Sequence, residues 1–179
     1  MVLRDGVLDG VAMVVAGAAE LGGAVRERAA ALGASVVSRD VDPAGEETPF
    51  EGAADVLVFD GSETRGVQAA LDGAWLTVRP VARAAMIDHG GGRIVLIAPR
   101  PGSAEAEGAR AGLENMARTL SVEWARFHVR PVTILPGDVT DPGEVAELVA
   151  YLASPAGEYY SGCAFTLGSV APGATTPDS

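Results

Sequence analysis

The chain has 179 residues, 48% of them apolar, and a formal charge of −11 at neutral pH. That length and apolar content predict one compact domain around a single core, while so strong an acidity repels phosphate backbones and anionic lipid and excludes nucleic acid and membrane surfaces as primary partners. No stretch approaches the roughly 20 apolar residues of a membrane span, and the opening MVLRDGVLDGV lacks the apolar core of a signal peptide, so a cytoplasmic protein is expected.

Val11 to Val15 is a continuous apolar run bounded by glycines, as suits a strand buried on both faces of a parallel sheet. The helix after it places Leu21, Val25, Ala29 and Leu32 on one face, and Gly33 is positioned to end it. Ser35 to Ser38 follows as a second strand, completing a βαβ opening of nucleotide-binding length. Between residues 40 and 54 the acids Asp40, Asp42, Glu46, Glu47 and Glu51 accumulate with Pro43 and Pro49, no apolar period survives, and a solvated acidic loop is expected. Val56 to Phe59 resumes as a buried strand. A helix from roughly Val67 to Asp88, interrupted or bent near Pro80, leads through a glycine turn to the strand Arg93 to Ala98.

The next helix, over 104–127, carries Leu113, Met116, Ala117, Leu120, Trp124 and Phe127 as a broad apolar stripe of the kind a helix packed on a sheet requires. The strand VRPVTILPG comes next. Asp141, Pro142 and Glu144 form a helix start, with a capping side chain, proline in the first turn and an acid three residues past the cap. That helix ends near Ser154, Ala164 to Leu167 is a last short strand, and 170–179 is expected to be a loose tail after a domain covering 1–169.

The segment from GRIVLIAPRPG through EGARAGLENMARTLSVEWARF to VRPVTILPG resembles the short-chain dehydrogenases/reductases, whose active-site helix opens with Tyr-x-x-x-Lys just before Ala-Gly-Leu. Ala111, Gly112 and Leu113 fit that tail. The resemblance implies a Rossmann-like three-layer fold, an open parallel sheet of about six strands with helices on both faces, and one α/β unit shortened into the loop 40–54. It also places the family's Tyr on Ala106, its Lys on Arg110 and its Ser on Ala98 or Pro99. The helix Asn falls near Ala70 or Leu71, and the Asn-Asn-Ala-Gly motif on Phe59, Asp60, Gly61 and Ser62. In the family the Tyr transfers the proton and the Lys lowers the Tyr pKa from about 10 toward working pH. Ala106 has no proton to give, Arg110 keeps only the charge, and the chain contains no lysine at all. No catalytic residue is therefore assigned. Tyr151, Tyr159 and Tyr160 lie too far along the chain to substitute, and Ser103 reads as turn chemistry.

The glycines Gly17, Gly22 and Gly23 lie between the first strand and the first helix, where a dinucleotide fold cradles a diphosphate on backbone N–H groups. The match to the family fingerprint is partial, since Ala16 replaces its Thr and Leu21 its middle glycine. Glu20 either repels a diphosphate there or stabilises the free helix through its dipole, by roughly 0.3–1 kcal/mol. Asp40, about 20 residues on, has two readings: an acceptor for an adenosine ribose, which selects NAD, or one more acid of the loop. Arg39 beside it is placed for an extra ribose phosphate. The cofactor expectation is accordingly none, or weak NAD(H). A Walker A loop is excluded for want of its lysine, no metal site is expected at the separated His89 and His128, and the lone Cys163 reads as packing.

Three functions follow from the resemblance. The leading one is a non-catalytic subunit that pairs with an active NAD(P)-dependent short-chain dehydrogenase/reductase, of keto-acyl or hydroxy-acyl type; a homo- or hetero-oligomer is expected through the helices 67–88 and 104–127 and the C-terminal helix and strand. The others are an oxidoreductase with an atypical proton donor and a dinucleotide-binding module.

Overall fold

The computed structural model describes residues 3–17, 19–41 and 47–168. The expected tail 170–179 and part of the acidic loop, 42–46, lie outside the described residues. Six strands form one sheet in the order β2-β1-β3-β4-β5-β6: β1 (Ala12–Ala16), β2 (Ser35–Arg39), β3 (Val56–Asp60), β4 (Gly92–Ile97), β5 (Val129–Leu135) and β6 (Ala164–Thr166). Every neighbouring pair is parallel. All-parallel pairing needs both faces covered, which explains why β3 reads VLVFD with every residue buried.

Alternate side chains of the strands feed two cores. Met13, Val15, Val58, Val95 and Ile134 pack with helices α1 (Glu20–Ala31) and α4 (Pro142–Ala153) on one face. Val14, Leu57, Phe59, Ile94 and Leu96 pack with α2 (Val67–Val81) and α3 (Ala104–Glu123) on the other. Residues on α3 at the predicted spacing, Leu113, Ala117 and Leu120, are buried. The predicted stripe outruns the helix, because Trp124 ends α3 and Phe127 belongs to a short 3-10 turn. Trp124 nevertheless stacks on Trp75 of α2, ring centroids 6.4 Å apart, and ties the two helices together.

Pro80 does not break α2. It has no N–H for the helical ladder, and the chain passes directly into a π-helical turn, Ala82–Met86, that absorbs the misfit. Asp141 caps α4 by accepting from the Gly143 N–H at 2.8 Å, with Pro142 in the first turn.

β2 is the sheet's edge and is poorly covered: Val37 is 56% exposed. Residues 47–55 carry neither helix nor strand. They are held down from both sides, by an ion pair between Glu47 and Arg79 of α2 at 2.6 Å and by the Arg39 guanidinium, which donates to the Thr48 and Pro49 carbonyls. Phe50 packs against the α2/α3 core.

Candidate functional site

From β1 the chain steps outward to β2, then crosses back to β3 on the other side of β1. Strand order reverses there, so the crevice at the C-terminal ends of β1 and β3 is where an open α/β sheet places its ligand. Gly17 leaves β1 at φ +102° and Gly61 leaves β3, each at one lip of that crevice.

The crevice is filled from within. Helix α1 has Ala19 at its N-cap, a residue with no side chain able to cap it. Its orphan N–H at Gly22 donates instead to Oδ2 of Asp60, at the end of β3, over 2.6 Å in a buried setting. Oδ1 of the same carboxylate accepts from the Ser62 N–H at 3.0 Å, and Asp60 as a whole is only 6% exposed. An anion at a helix N-terminus, bonded to backbone donors, is what the positive end of the dipole favours. Here the anion is a side chain.

The two fingerprint glycines that matter are explained by this contact. A Cβ on Gly17 would lie 2.8 Å from the Asp60 carbonyl oxygen, and one on Gly22 would lie 2.8 Å from Asp60 Oδ2. Gly17 also needs its left-handed φ, and its carbonyl accepts from Arg26 Nη1 at 2.8 Å, which fixes the turn. Gly23 has no such constraint; a Cβ there would meet only Arg26 at 3.9 Å. Glu20 is exposed in the first turn of α1, and it does not take part in the Gly22 contact. The Gly22 N–H is therefore committed to a side-chain carboxylate rather than left for a dinucleotide's diphosphate, and no hydride step is derived through one.

Asp40 follows β2 and is exposed; the carbonyl of its neighbour Arg39 accepts from the Gly17 N–H at 3.0 Å. Arg39 itself is spent on the 48–49 carbonyls and on the face of Phe50.

Further along the same end of the sheet lies an open cleft of about 900 Å³, between the 62–66 loop and the start of α3. Pro99 and Ala106 line it, with Arg65, Arg100, Ser103 and Glu105. Ala98 and Pro99 are buried at the end of β4, and Ala106 sits in the first turn of α3. Arg110, one turn further on, aims its guanidinium inward: Nη1 donates to the Pro99 carbonyl at 2.7 Å and to the Pro136 carbonyl at 2.8 Å. Its side chain is 12% exposed, and Nε faces Glu107 at 3.6 Å. Arg110 thus staples the ends of β4 and β5 together, which a lysine's single nitrogen does less completely.

Arg100 does the same for the loop after β5, donating to the carbonyls of Gly137 at 2.9 Å and Thr140 at 2.8 Å. Two of the three hydroxyls at the cleft are engaged locally. Ser103, read from the sequence as a turn serine, instead caps α3 by accepting from the Ala106 N–H at 3.1 Å, and Thr64 donates to the Gly61 carbonyl. Ala70 is buried on α2, and Leu71 lies against Gly112. Tyr151 and Tyr160 face each other, hydroxyls 3.5 Å apart, near β6 and away from the cleft. Their contact pushes the Tyr151 phenol above its ordinary pKa. Cys163 is half-buried against the α1/α4 core, and burial raises its thiol pKa. Among the described residues no cluster of three or more His, Cys, Asp or Glu could hold a metal, and no helix is long and apolar enough to cross a membrane.

The residue that sequence reasoning left without a role is Asp60. Two signals pointed to it: an acid closing an otherwise apolar buried strand must find donors, and a helix preceded by Ala-Gly-Ala-Ala has no cap and must borrow one.

No protein-family model matches the chain, and no curated protein is similar to it at a significant level. Solved structures are similar. The citronellol catabolism dehydrogenase AtuB of Pseudomonas aeruginosa PAO1 superposes with a TM-score of 0.79 at 23% identity, over 92% of this chain and 96% of that one. BdcA (YjgI) from E. coli gives 0.72 at 22%, over 90% of this chain and 100% of that one. A double mutant of a short-chain dehydrogenase/reductase from Serratia marcescens gives 0.71 at 19%, over 89% and 96%. The fold is that of the short-chain dehydrogenases/reductases, the class the α3 segment resembles.

Proposed function

We propose that this chain is a non-catalytic subunit of short-chain dehydrogenase/reductase fold that pairs with an active NAD(P)-dependent member of that class. The observation that carries the reading is the Asp60 carboxylate on the Gly22 N–H, where a dinucleotide would lay its diphosphate. A bound dinucleotide must first displace a buried, doubly hydrogen-bonded anion, and the glycines that would admit it are packed against that anion instead. The cleft beyond supports the same reading, because Ala98, Pro99 and Ala106 carry no proton to transfer and the Arg110 guanidinium is held on two carbonyls.

A pairing surface is supported by the outward sides of α2 and α3. Val67 and Trp75 are each 36% exposed and Val122 is 78% exposed, more apolar surface than two helices need to pack on one sheet. The C-terminal helix α4 and β6 form a second candidate surface, with Tyr159 91% exposed.

The test is co-expression with a short-chain dehydrogenase/reductase of the same genome, followed by native mass measurement and calorimetry with NAD(H) and NADP(H). Retention of the enzyme, with no nicotinamide binding by the isolated chain, is expected. Turnover of a nicotinamide cofactor by the chain alone, or failure to retain any such enzyme, overturns the reading.

A further inference from the structure

The opposite end of the sheet carries a group of polar side chains that the subunit role does not use. At the N-terminal end of β5, a pocket of about 330 Å³ is lined by Ser121 from the end of α3, His128 and Arg130 from the entry to β5, and Ser161 from the turn before β6. The chain is strongly acidic overall, yet this spot is cationic.

Its charge is not balanced from within. Arg130 stands in register opposite Arg93 on β4, and like charges facing across adjacent strands are destabilising. Arg93 has partners: Nη1 donates to the Ala153 carbonyl at 2.7 Å, Glu158 is 3.8 Å from Nη2, and Asp55 acts on it from a greater distance. Burial, and to a lesser extent the charge of Arg130, lowers the Arg93 pKa. Arg130 has neither hydrogen bond nor ion pair among the described residues. His128 is the one non-glycine residue with positive φ among them, at 58°. Its backbone is pinned there, accepting from the Gly92 N–H at 3.3 Å and donating to the Ala125 carbonyl at 3.0 Å. Left-handed backbone at a histidine is unfavourable and tends to persist where the position serves a site. Ser121 already donates to the Arg118 carbonyl at 2.7 Å, so the donors left for a ligand are the Arg130 guanidinium, the Ser161 hydroxyl and the His128 ring.

We infer that this pocket binds a small tetrahedral oxyanion, the phosphoryl group of a phosphorylated small molecule, with Arg130 as its principal counter-charge. A guanidinium, an imidazole and a hydroxyl around a small cavity are the donor set that a phosphoryl oxygen cluster takes. The volume sits at the low end for ligand sites, enough for a phosphoryl group and a short attached moiety. A single phosphoryl group is compatible with the chain's overall negative charge, as a nucleic-acid backbone is not.

Inorganic phosphate is the probe, titrated into the full chain against chloride at matched ionic strength while the His128 ring and the Ser161 and Arg130 amides are followed by NMR. Phosphate is expected to move these resonances. Arg130→Gln should weaken phosphate binding at least about tenfold, the loss expected when a charge-assisted hydrogen bond is removed. Ser161→Ala, on an exposed turn and harmless to folding, should weaken it severalfold and decides the matter if the arginine variant does not fold. The absence of a phosphate-specific shift at His128, or unchanged affinity in both variants, overturns the assignment. The outcome is independent of the subunit reading, which concerns the other end of the sheet.

Discussion

Asp60→Asn changes one atom of the contact that closes the crevice. In the native chain Oδ2 accepts from Gly22 N–H at 2.6 Å and Oδ1 from Ser62 N–H at 3.0 Å. An asparagine offers one carbonyl oxygen and one NH2 group, so one backbone donor must face another donor. A hydrogen bond to a charged group contributes about 1.5–3 kcal/mol, and a charge at a helix end up to about 2 kcal/mol when partly buried. Removing a buried charge recovers some desolvation, and the two terms overlap, so a net loss of about 2–3 kcal/mol is expected. At this chain length that corresponds to a Tm lower by roughly 5–10 °C. Urea unfolding should show a lower midpoint with an unchanged slope, the signature of lost stability in an intact fold. Gly22→Ala provides the partner experiment, since its methyl group would sit 2.8 Å from Oδ2. Alanine favours a helix interior by about 1 kcal/mol over glycine, so destabilisation here would have to come from the carboxylate it displaces. The double variant should lose less than the sum of the two. An Asp60→Asn protein within about 0.5 kcal/mol of wild type would falsify the idea that this carboxylate caps α1, as would a stabilising Gly22→Ala.

Arg110→Lys, the substitution that restores the class's usual residue type, should destabilise by about 1–2 kcal/mol through loss of a carbonyl contact at Pro99 or Pro136 and should confer no nicotinamide-dependent activity. Denaturation and a coupled absorbance assay check the two halves separately. Arg100→Ala releases the carbonyls of Gly137 and Thr140, so amide exchange across 137–140 should accelerate while the α1/α4 core stays protected; equal exchange in both proteins contradicts the clamp. For Cys163, burial raises the folded pKa above the unfolded value near 8.5. Its contribution to stability is therefore full below that value and is lost as pH rises through the folded pKa. Thiol labelling of the native chain should accordingly have a more alkaline midpoint than labelling in denaturant, and coincident midpoints would remove the argument.

Local chemistry determined the elements. Apolar runs of strand length bounded by glycine can only be satisfied inside a parallel sheet, the helical stripes on α1 and α3 require a sheet beneath them, and Asp141-Pro142 starts a helix wherever it stands. The losses at Ala106, Arg110, Ala98 and Pro99 were equally plain, because a missing hydroxyl or phenol is a property of residue type and needs no coordinates. What the linear order did not disclose is where the remaining polar groups spend their hydrogen bonds. Asp60 and Gly22 are 38 residues apart, and only the placement of β3 beside β1 turns a residue that looked like a lost motif position into the cap of α1. Arg110 and Arg100 likewise look like free charges along the chain. They become staples only when β4 and β5 end side by side and present carbonyls that have no strand partner. Periodicity is written in near neighbours, whereas the satisfaction of a buried donor or acceptor depends on which distant backbone folding brings within 3 Å.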